Sequence, residues 1–234
     1  MEFVLPQQTA YAMNTRSAMV ESRTDGPGPR VLRRSRGSRP ARLAVKLGLV
    51  VLISLALGGL TSPAQTWLPD ALRPFANSGS GWTLLTALIV WAFRERAVPS
   101  AVFGAASFLT LVLGYQIVSD LRGFPDTEEF FLVAAIAIGP FVGAAASWLH
   151  RHDFRAALGC GVLAGTGLGE AAFGLTVIEA TTGWFYWTLI AVLSVLLVTA
   201  VTTRQLAAAR HRALAAGTTI AVTAVIFIAY NTLG

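Results

Sequence analysis

The sequence has few of the residues that build catalytic and metal sites in soluble proteins. Cys160 is the only cysteine among 234 residues, histidine occurs three times, and only 13% of the residues are charged. An intramolecular disulfide and a cysteine metal cluster are therefore excluded. The GxSxG, Walker and HExxH motifs are missing as well, so serine-hydrolase, nucleotide-phosphate and zinc-protease chemistry has no support. We expect no metal site and no cofactor, and an enzyme is the least favoured class.

What the sequence has in abundance is apolar residues, at 54% of the chain. A membrane helix needs about 20 mostly apolar residues, because every backbone polar group must be satisfied without water. Seven segments approach that length. The sequence therefore predicts an all-α, polytopic membrane helix bundle with seven transmembrane helices, or six if the first is removed as a signal. The predicted spans lie near residues 43–60, 75–93, 99–118, 130–149, 156–178, 184–203 and 213–233.

Arginine is concentrated before the first predicted span. Residues 1–42 contain eight arginines and three acids, with too few apolar residues to offset chain entropy. We predict a disordered, basic cytoplasmic tail over 1–42 and one transmembrane domain over 43–234. A basic cluster directly before an apolar helix is typical of a cytoplasmic anchor that is attracted to anionic lipid. The lipid bilayer is thus an expected partner, and nucleic acid is not.

The remaining arginines predict how the chain crosses the membrane. They cluster at alternate junctions, after the second, fourth and sixth predicted spans. Because cytoplasmic loops carry the excess of Lys and Arg, we predict a cytoplasmic N-terminus and an outside C-terminus. The single Lys among many Ala, Val, Leu and Arg is typical of a high-GC bacterial genome, so we predict a bacterial plasma membrane. Aromatic residues at the predicted boundaries agree, since their rings favour the headgroup level. Those at the outer boundary are Trp67, Trp82, Tyr115, Trp184, Tyr186, Trp187 and Tyr230, and those at the inner one are Trp91 and Trp148.

Glu170 is the most conspicuous polar residue within a predicted span. A carboxylate there costs at least about 2.5 kcal/mol on insertion scales, so it should face the bundle interior, hold a proton, or contact a cation or water. Thr166 lies one turn earlier on the same face and is predicted to hydrogen-bond to it. Pro140 is in the middle of the fourth predicted span, where it removes a backbone hydrogen bond and is predicted to kink the helix at a similar depth. The alternative is that the helix accommodates this proline for structural reasons alone, with no role in a binding site.

A polar stretch, Asn77-Ser78-Gly79-Ser80-Gly81-Trp82, interrupts the second predicted span. Either Asn77 or Ser78 caps a helix that begins at the outer interface, or the stretch is irregular and lines a water-filled vestibule with Ser80. Irregular backbone is tolerated at membrane depth only where it is shielded from lipid. Both interpretations put candidate ligand-binding hydroxyl groups here.

Glycines recur every four residues on two predicted helices. Helices in lipid associate through close packing of small residues, so such stripes predict helix contacts. The stripes are Gly161, Gly165 and Gly169 on the fifth span, and Gly139 and Gly143 on the fourth.

Three segments carry a resemblance to a known family: Asn77 to Trp82, Gly114-Tyr115, and the run from Gly139-Pro140 to Glu170. Together they resemble an uncharacterised family of bacterial multi-pass integral membrane proteins, a domain of unknown function, over residues 43–234. The resemblance implies a membrane location and supplies no activity and no site residues. A looser similarity is to the six-helix substrate-binding components of vitamin uptake systems, although no vitamin-specific motif is present.

Two functional hypotheses follow from the sequence. In the first, the protein binds or transports a small solute or cation in a cavity near Glu170, with Thr166, Pro140, Asn77, Ser78 and Ser80 as further ligand-binding candidates. In the second, it is a non-catalytic interaction or scaffold protein that packs on membrane-protein partners through its glycine-rich helix faces.

Overall fold

The computed structural model describes residues 39–124 and 129–233, and this part of the chain is helical and contains no strand. A single turn, α6, spans Glu179–Thr182. A 3-10 helix, Asp70–Asn77, joins the first two long helices, α1 (Arg39–Trp67) and α2 (Gly79–Phe93). The predicted tail lies outside the described residues except for 39–42, which are the first turn of α1. The long helices are α1 Arg39–Trp67, α2 Gly79–Phe93, α3 Ala97–Leu121, α4 Glu129–Trp148, α5 Phe154–Thr176, α7 Phe185–Arg204 and α8 Ala209–Leu233.

Five of these helices are long and apolar enough to cross a membrane, so the prediction of seven full spans is corrected to five within the described residues. They are α1, α3, α5, α7 and α8. The second predicted span is shorter because its first residues belong to the 3-10 helix, which leaves α2 with 15 residues and a length of about 22 Å. α4 has 20 residues, Glu129–Trp148, of which the fully described apolar part is Ala135–Trp148, and the helix continues through Pro140.

Glycines allow α1 and α3 to touch through their backbones. A Cβ atom on Gly58 would overlap the carbonyl oxygen of Leu111, and one on Gly114 would overlap that of Leu55. Only hydrogen fits between the two helices at these crossings. Close backbone approach of this kind is how membrane helices gain packing energy in the absence of a hydrophobic driving force between them.

The glycine stripe of α4 faces α3. A Cβ on Gly139 would lie 2.8 Å from the Ala105 Cα, and one on Gly143 would lie 2.9 Å from the Gly104 Cα. The next residue, Pro140, is half-buried. Both glycines therefore lie at a helix contact within the chain.

The stripe of α5 is covered by α8. A Cβ on Gly161, Gly165 or Gly169 would lie 2.6 to 2.7 Å from the Cβ atoms of three α8 residues. This face of α5 is consequently occupied by the chain itself. The three residues of α8 are Thr218, Val222 and Ile226.

Several aromatic residues predicted to lie at the outer membrane boundary are buried among the helices. Trp82 and Tyr186 are each 1% exposed and Trp187 is 3% exposed. Trp82 packs against Phe108 and Tyr115, because α2 is surrounded by α1, α3, α4 and α5. Burial between helices is compatible with placement at the headgroup level, so the boundary assignment of these side chains stays a prediction.

Candidate functional site

The first turn of α2 lies inside the bundle, close to Glu170. Glu170 precedes the end of α5 by six residues, or about 9 Å along the helix axis. The 3-10 helix brings the chain into the interior before α2 begins. Its Ala76 is fully buried, and its Phe75 ring packs edge-on against Tyr186 at 6.5 Å. A helix that begins in an apolar interior needs partners for its first backbone N–H groups.

The Glu170 carboxylate supplies those partners. Its Oε1 accepts hydrogen bonds from the Gly79 N–H and the Tyr230 hydroxyl, each at 2.9 Å, and its Oε2 accepts one from the Ser80 N–H. The side chain is 3% exposed. A negative charge at this position also complements the positive end of the α2 dipole. Glu170 is therefore a cap for α2, contributed from another helix.

A cluster of hydroxyl groups completes this end of α2. Ser78 accepts a hydrogen bond from the Gly81 N–H at 3.0 Å and so is the N-cap residue. The Tyr186 hydroxyl lies 2.7 Å from the Ser78 Oγ and 2.9 Å from the Ser80 Oγ. Of the two interpretations of this stretch, the structure shows the helix cap, and it places the cap within the bundle.

The structure does not bring the other predicted ligand residues to Glu170. The Thr166 hydroxyl donates to the Val162 carbonyl at 2.9 Å, so its predicted bond to Glu170 is wrong. Asn77 is exposed at the end of the 3-10 helix. Pro140 lies on α4, directly after Gly139, which contacts α3. Among the described residues, Glu170 is hydrogen-bonded only to Gly79, Ser80 and Tyr230.

The hydrogen bonds of Glu170 determine what it can do chemically. An ionised carboxylate offers about four acceptor positions, and three are occupied by the donors from α2 and α8. A cation that replaced any of these donors would leave an N–H or hydroxyl group without an acceptor, which is costly in an apolar interior. The arrangement is that of a structural cap.

The opposite end of α2 is held by a positive charge. Lys46 on α1 donates to the Phe93 carbonyl at 3.2 Å and forms an ion pair with Glu95. A cation near the last carbonyl groups complements the negative end of the helix dipole. Both termini of α2 are thus tied to neighbouring helices by side chains of the appropriate sign.

One end of the bundle carries most of the described basic residues, and we call it the arginine end. Contacts bring its loops together: His150 Nε2 lies 3.0 Å from the Trp91 carbonyl oxygen, and Gln205 donates to the carbonyls of Leu149 and Arg151. Its loops and the helix ends next to them carry seven arginines and two acids, Glu95 and Asp153, in addition to Arg39 and Arg42 at the start of α1. The arginines are Arg94, Arg96, Arg151, Arg155, Arg204, Arg210 and Arg212.

Both acids at the arginine end already have partners. Glu95 pairs with Lys46, and Asp153 lies 3.6 Å from Arg151 and caps α5 through the Arg155 N–H. Desolvation acts to raise the pKa of Asp153, but the Arg155 N–H and the positive charge of Arg151 outweigh it, and the pKa is lowered. The positive charge of the other arginines is left without acidic neighbours in the described loops.

A groove of about 640 Å³ lies between α2 and α7. Leu163 and Gly167 of α5 form its floor. It extends from Ser80 to Trp91, which corresponds to about 17 Å along α2. Polar residues occur at its two ends, with Ser80 and Thr83 at one and His150, His152 and Gln205 at the arginine end. Between the ends its walls are apolar except for Ser194, and they include Leu84, Leu88, Leu193, Leu197 and Ala200.

Sequence reasoning missed the tyrosines that complete the cap and the existence of the groove. Tyr230 and Tyr186 were assigned to the membrane boundary. A signal for Tyr230 was available, because a phenolic hydroxyl in an apolar helix needs a hydrogen-bond partner. The groove left no signal, since its walls come from three helices that are far apart in the chain.

Comparisons with known proteins bear on the family alone. No curated protein and no solved structure matches the chain, so the similarity to vitamin-uptake components gains no support. A family model does match, over residues 37–234, which covers the described helices. The chain therefore belongs to DUF6518, a family of unknown function.

Proposed function

We propose that this chain is an integral membrane protein that binds the acyl chain of a membrane lipid in the groove between α2 and α7. The observation that carries the proposal is the groove itself, which is elongated, polar at its ends and, apart from Ser194, apolar between them. Its volume of about 640 Å³ falls within the roughly 300–1,000 Å³ typical of small-molecule sites. An extended hydrocarbon chain with one polar end has the matching distribution of polarity.

The chemistry of the walls favours a lipid over a small polar solute or a cation. A hydrophilic molecule in the groove would lose its hydration, and the leucines along the walls offer no hydrogen bonds in return. Glu170 is engaged in capping α2 and so provides no free carboxylate for a cation. The glycine faces that would support a scaffold are covered within the chain by α8 and α3.

Filling the groove tests the proposal. We expect Ala200→Trp to reduce the fraction of protein that retains a lipid at least about tenfold, because the indole occupies the space of the chain and a tenfold change requires only about 1.4 kcal/mol. The measurement is native mass spectrometry of protein purified in a mild detergent. Leu193→Trp, at another residue of the wall, is expected to act in the same way.

The matched control is Val195→Trp, which places the same side chain on the outer face of α7, at a residue that is 52% exposed. It should retain lipid as the unmodified protein does. Equal retention in the groove and control variants, at equal thermal stability, would contradict the proposal.

For orientation, we propose that the arginine end faces the cytoplasm of a bacterial plasma membrane, in keeping with the positive-inside rule. Cys160 is buried, so we expect a thiol reagent to label the added cysteines and not the native one. We expect a membrane-impermeant maleimide to label Ala71→Cys on intact cells and to label Ala207→Cys only after permeabilisation. Both positions are exposed, at opposite ends of the bundle. The reverse labelling pattern would contradict this orientation.

A further inference from the structure

Selection among lipids by the groove must arise from its ends. Lipid tails are as apolar as leucine side chains, so a chain that moves from the bilayer into the groove gains little hydrophobic energy. Every membrane lipid brings such a chain. Discrimination between lipids therefore depends on contacts made by the headgroup.

The two ends of the groove differ in charge and in accessibility. At one end, Ser80 is buried and its hydroxyl is hydrogen-bonded to Tyr186, while its N–H is bonded to Glu170. Thr83 beside it is buried as well. This end has no net positive charge to offer, and the nearby carboxylate disfavours an anion.

The arginine end has the opposite character. His150 and His152 line the groove there, and Arg151 and Arg204 are the immediate neighbours of lining residues. His152, Arg151 and Arg204 are exposed. Arg151 pairs with Asp153 at 3.6 Å, whereas no acid of the described loops pairs with Arg204. The His150 Nε2 is engaged with the Trp91 carbonyl, which holds the imidazole against the Trp91 ring at 5.2 Å.

We propose that the groove selects a phospholipid with a net negative headgroup, whose phosphate lies at the arginine end beside His150 and His152. This inference rests on the proposed function. Guanidinium groups are strong partners of phosphate oxygens, and an imidazole N–H can donate a hydrogen bond to one. The excess positive charge at this end attracts an anionic headgroup more strongly than a zwitterionic one.

The test uses the full chain in nanodiscs that contain equal amounts of phosphatidylglycerol and phosphatidylcholine with identical acyl chains. Native mass spectrometry then measures the ratio of the two lipids that remain bound. We expect an enrichment of phosphatidylglycerol of roughly tenfold over the bulk ratio, in line with attraction by one or two basic residues. In the variant Arg151→Gln with Arg204→Gln the bound ratio should return toward that of the bulk, while total retention stays the same.

A control variant, Arg73→Gln with Arg122→Gln, removes the same amount of charge from the opposite end of the bundle and should preserve the enrichment. An equal loss in both double variants would assign the preference to overall charge and overturn the inference. A bulk-like ratio in the unmodified protein would also overturn it. If Ala200→Trp still releases the lipid in that case, the proposed function stands and only the headgroup inference fails.

Discussion

Glu170→Ala is expected to lower the free energy of unfolding by about 3 kcal/mol or more. The substitution leaves the N–H groups of Gly79 and Ser80 and the hydroxyl of Tyr230 without their acceptor, and each unsatisfied buried donor costs about 1–3 kcal/mol. It also removes the negative charge from the positive end of α2. The loss is measurable by equilibrium unfolding of the purified protein in mixed micelles, with tryptophan fluorescence as the probe.

Two further variants separate capping from ligand binding. Glu170→Gln keeps one carbonyl oxygen but directs an amide donor at another donor, so an intermediate loss is expected. Thr166→Ala, one turn earlier on the same helix, removes only a bond to the Val162 carbonyl and should cost much less. Full stability of Glu170→Ala would contradict the capping role and return the residue to the ligand hypothesis that the sequence prompted.

Gly58→Ala is expected to destabilise the protein by about 3 kcal/mol or more. The new methyl group would overlap the backbone carbonyl of Leu111, and a backbone cannot rotate away as a side chain does. Overpacking in a core typically costs about 1–3 kcal/mol where neighbours can adjust. A clash with backbone, which cannot adjust in this way, is expected to cost at least the upper value. The same unfolding measurement applies.

Gly48→Ala provides the matched control on the same helix. A Cβ at Gly48 meets nothing within 4 Å, and replacing a glycine within a helix by alanine is favourable by roughly 0.5–1 kcal/mol. This variant should be as stable as the unmodified protein or slightly more so. Equal behaviour of the two alanine variants would show that α1 and α3 are not in backbone contact at Gly58.

The helices themselves were predictable from the sequence. Long apolar runs separated by short polar junctions admit little else, because a chain in an apolar medium must satisfy its backbone hydrogen bonds locally. Each predicted segment overlaps a helix of the structure. For the second predicted span, the error came from residues 75–78, which the apolar pattern assigned to a membrane span and the structure assigns to the 3-10 helix and the cap of α2.

The candidate site was predictable only in part. The cost of burying a carboxylate identified Glu170, and N-cap preference named Asn77 or Ser78 as the cap, with an irregular stretch as the alternative. The sequence could not pair Glu170 with residues 79 and 80, because the contact joins segments about 90 positions apart. The tyrosine donors were assigned to the membrane boundary for the same reason.

The sequence by itself determined that the protein is helical, that several helices suit a membrane, and that a buried acid needs partners. Only the tertiary structure decided which helix is central, which acid caps it, and where the chain leaves a groove. The physical reason is the separation in sequence between the residues that interact. Hydropathy and backbone hydrogen bonding within a helix act between near neighbours in the chain, whereas caps from another helix, glycine crossings and grooves depend on how distant helices pack.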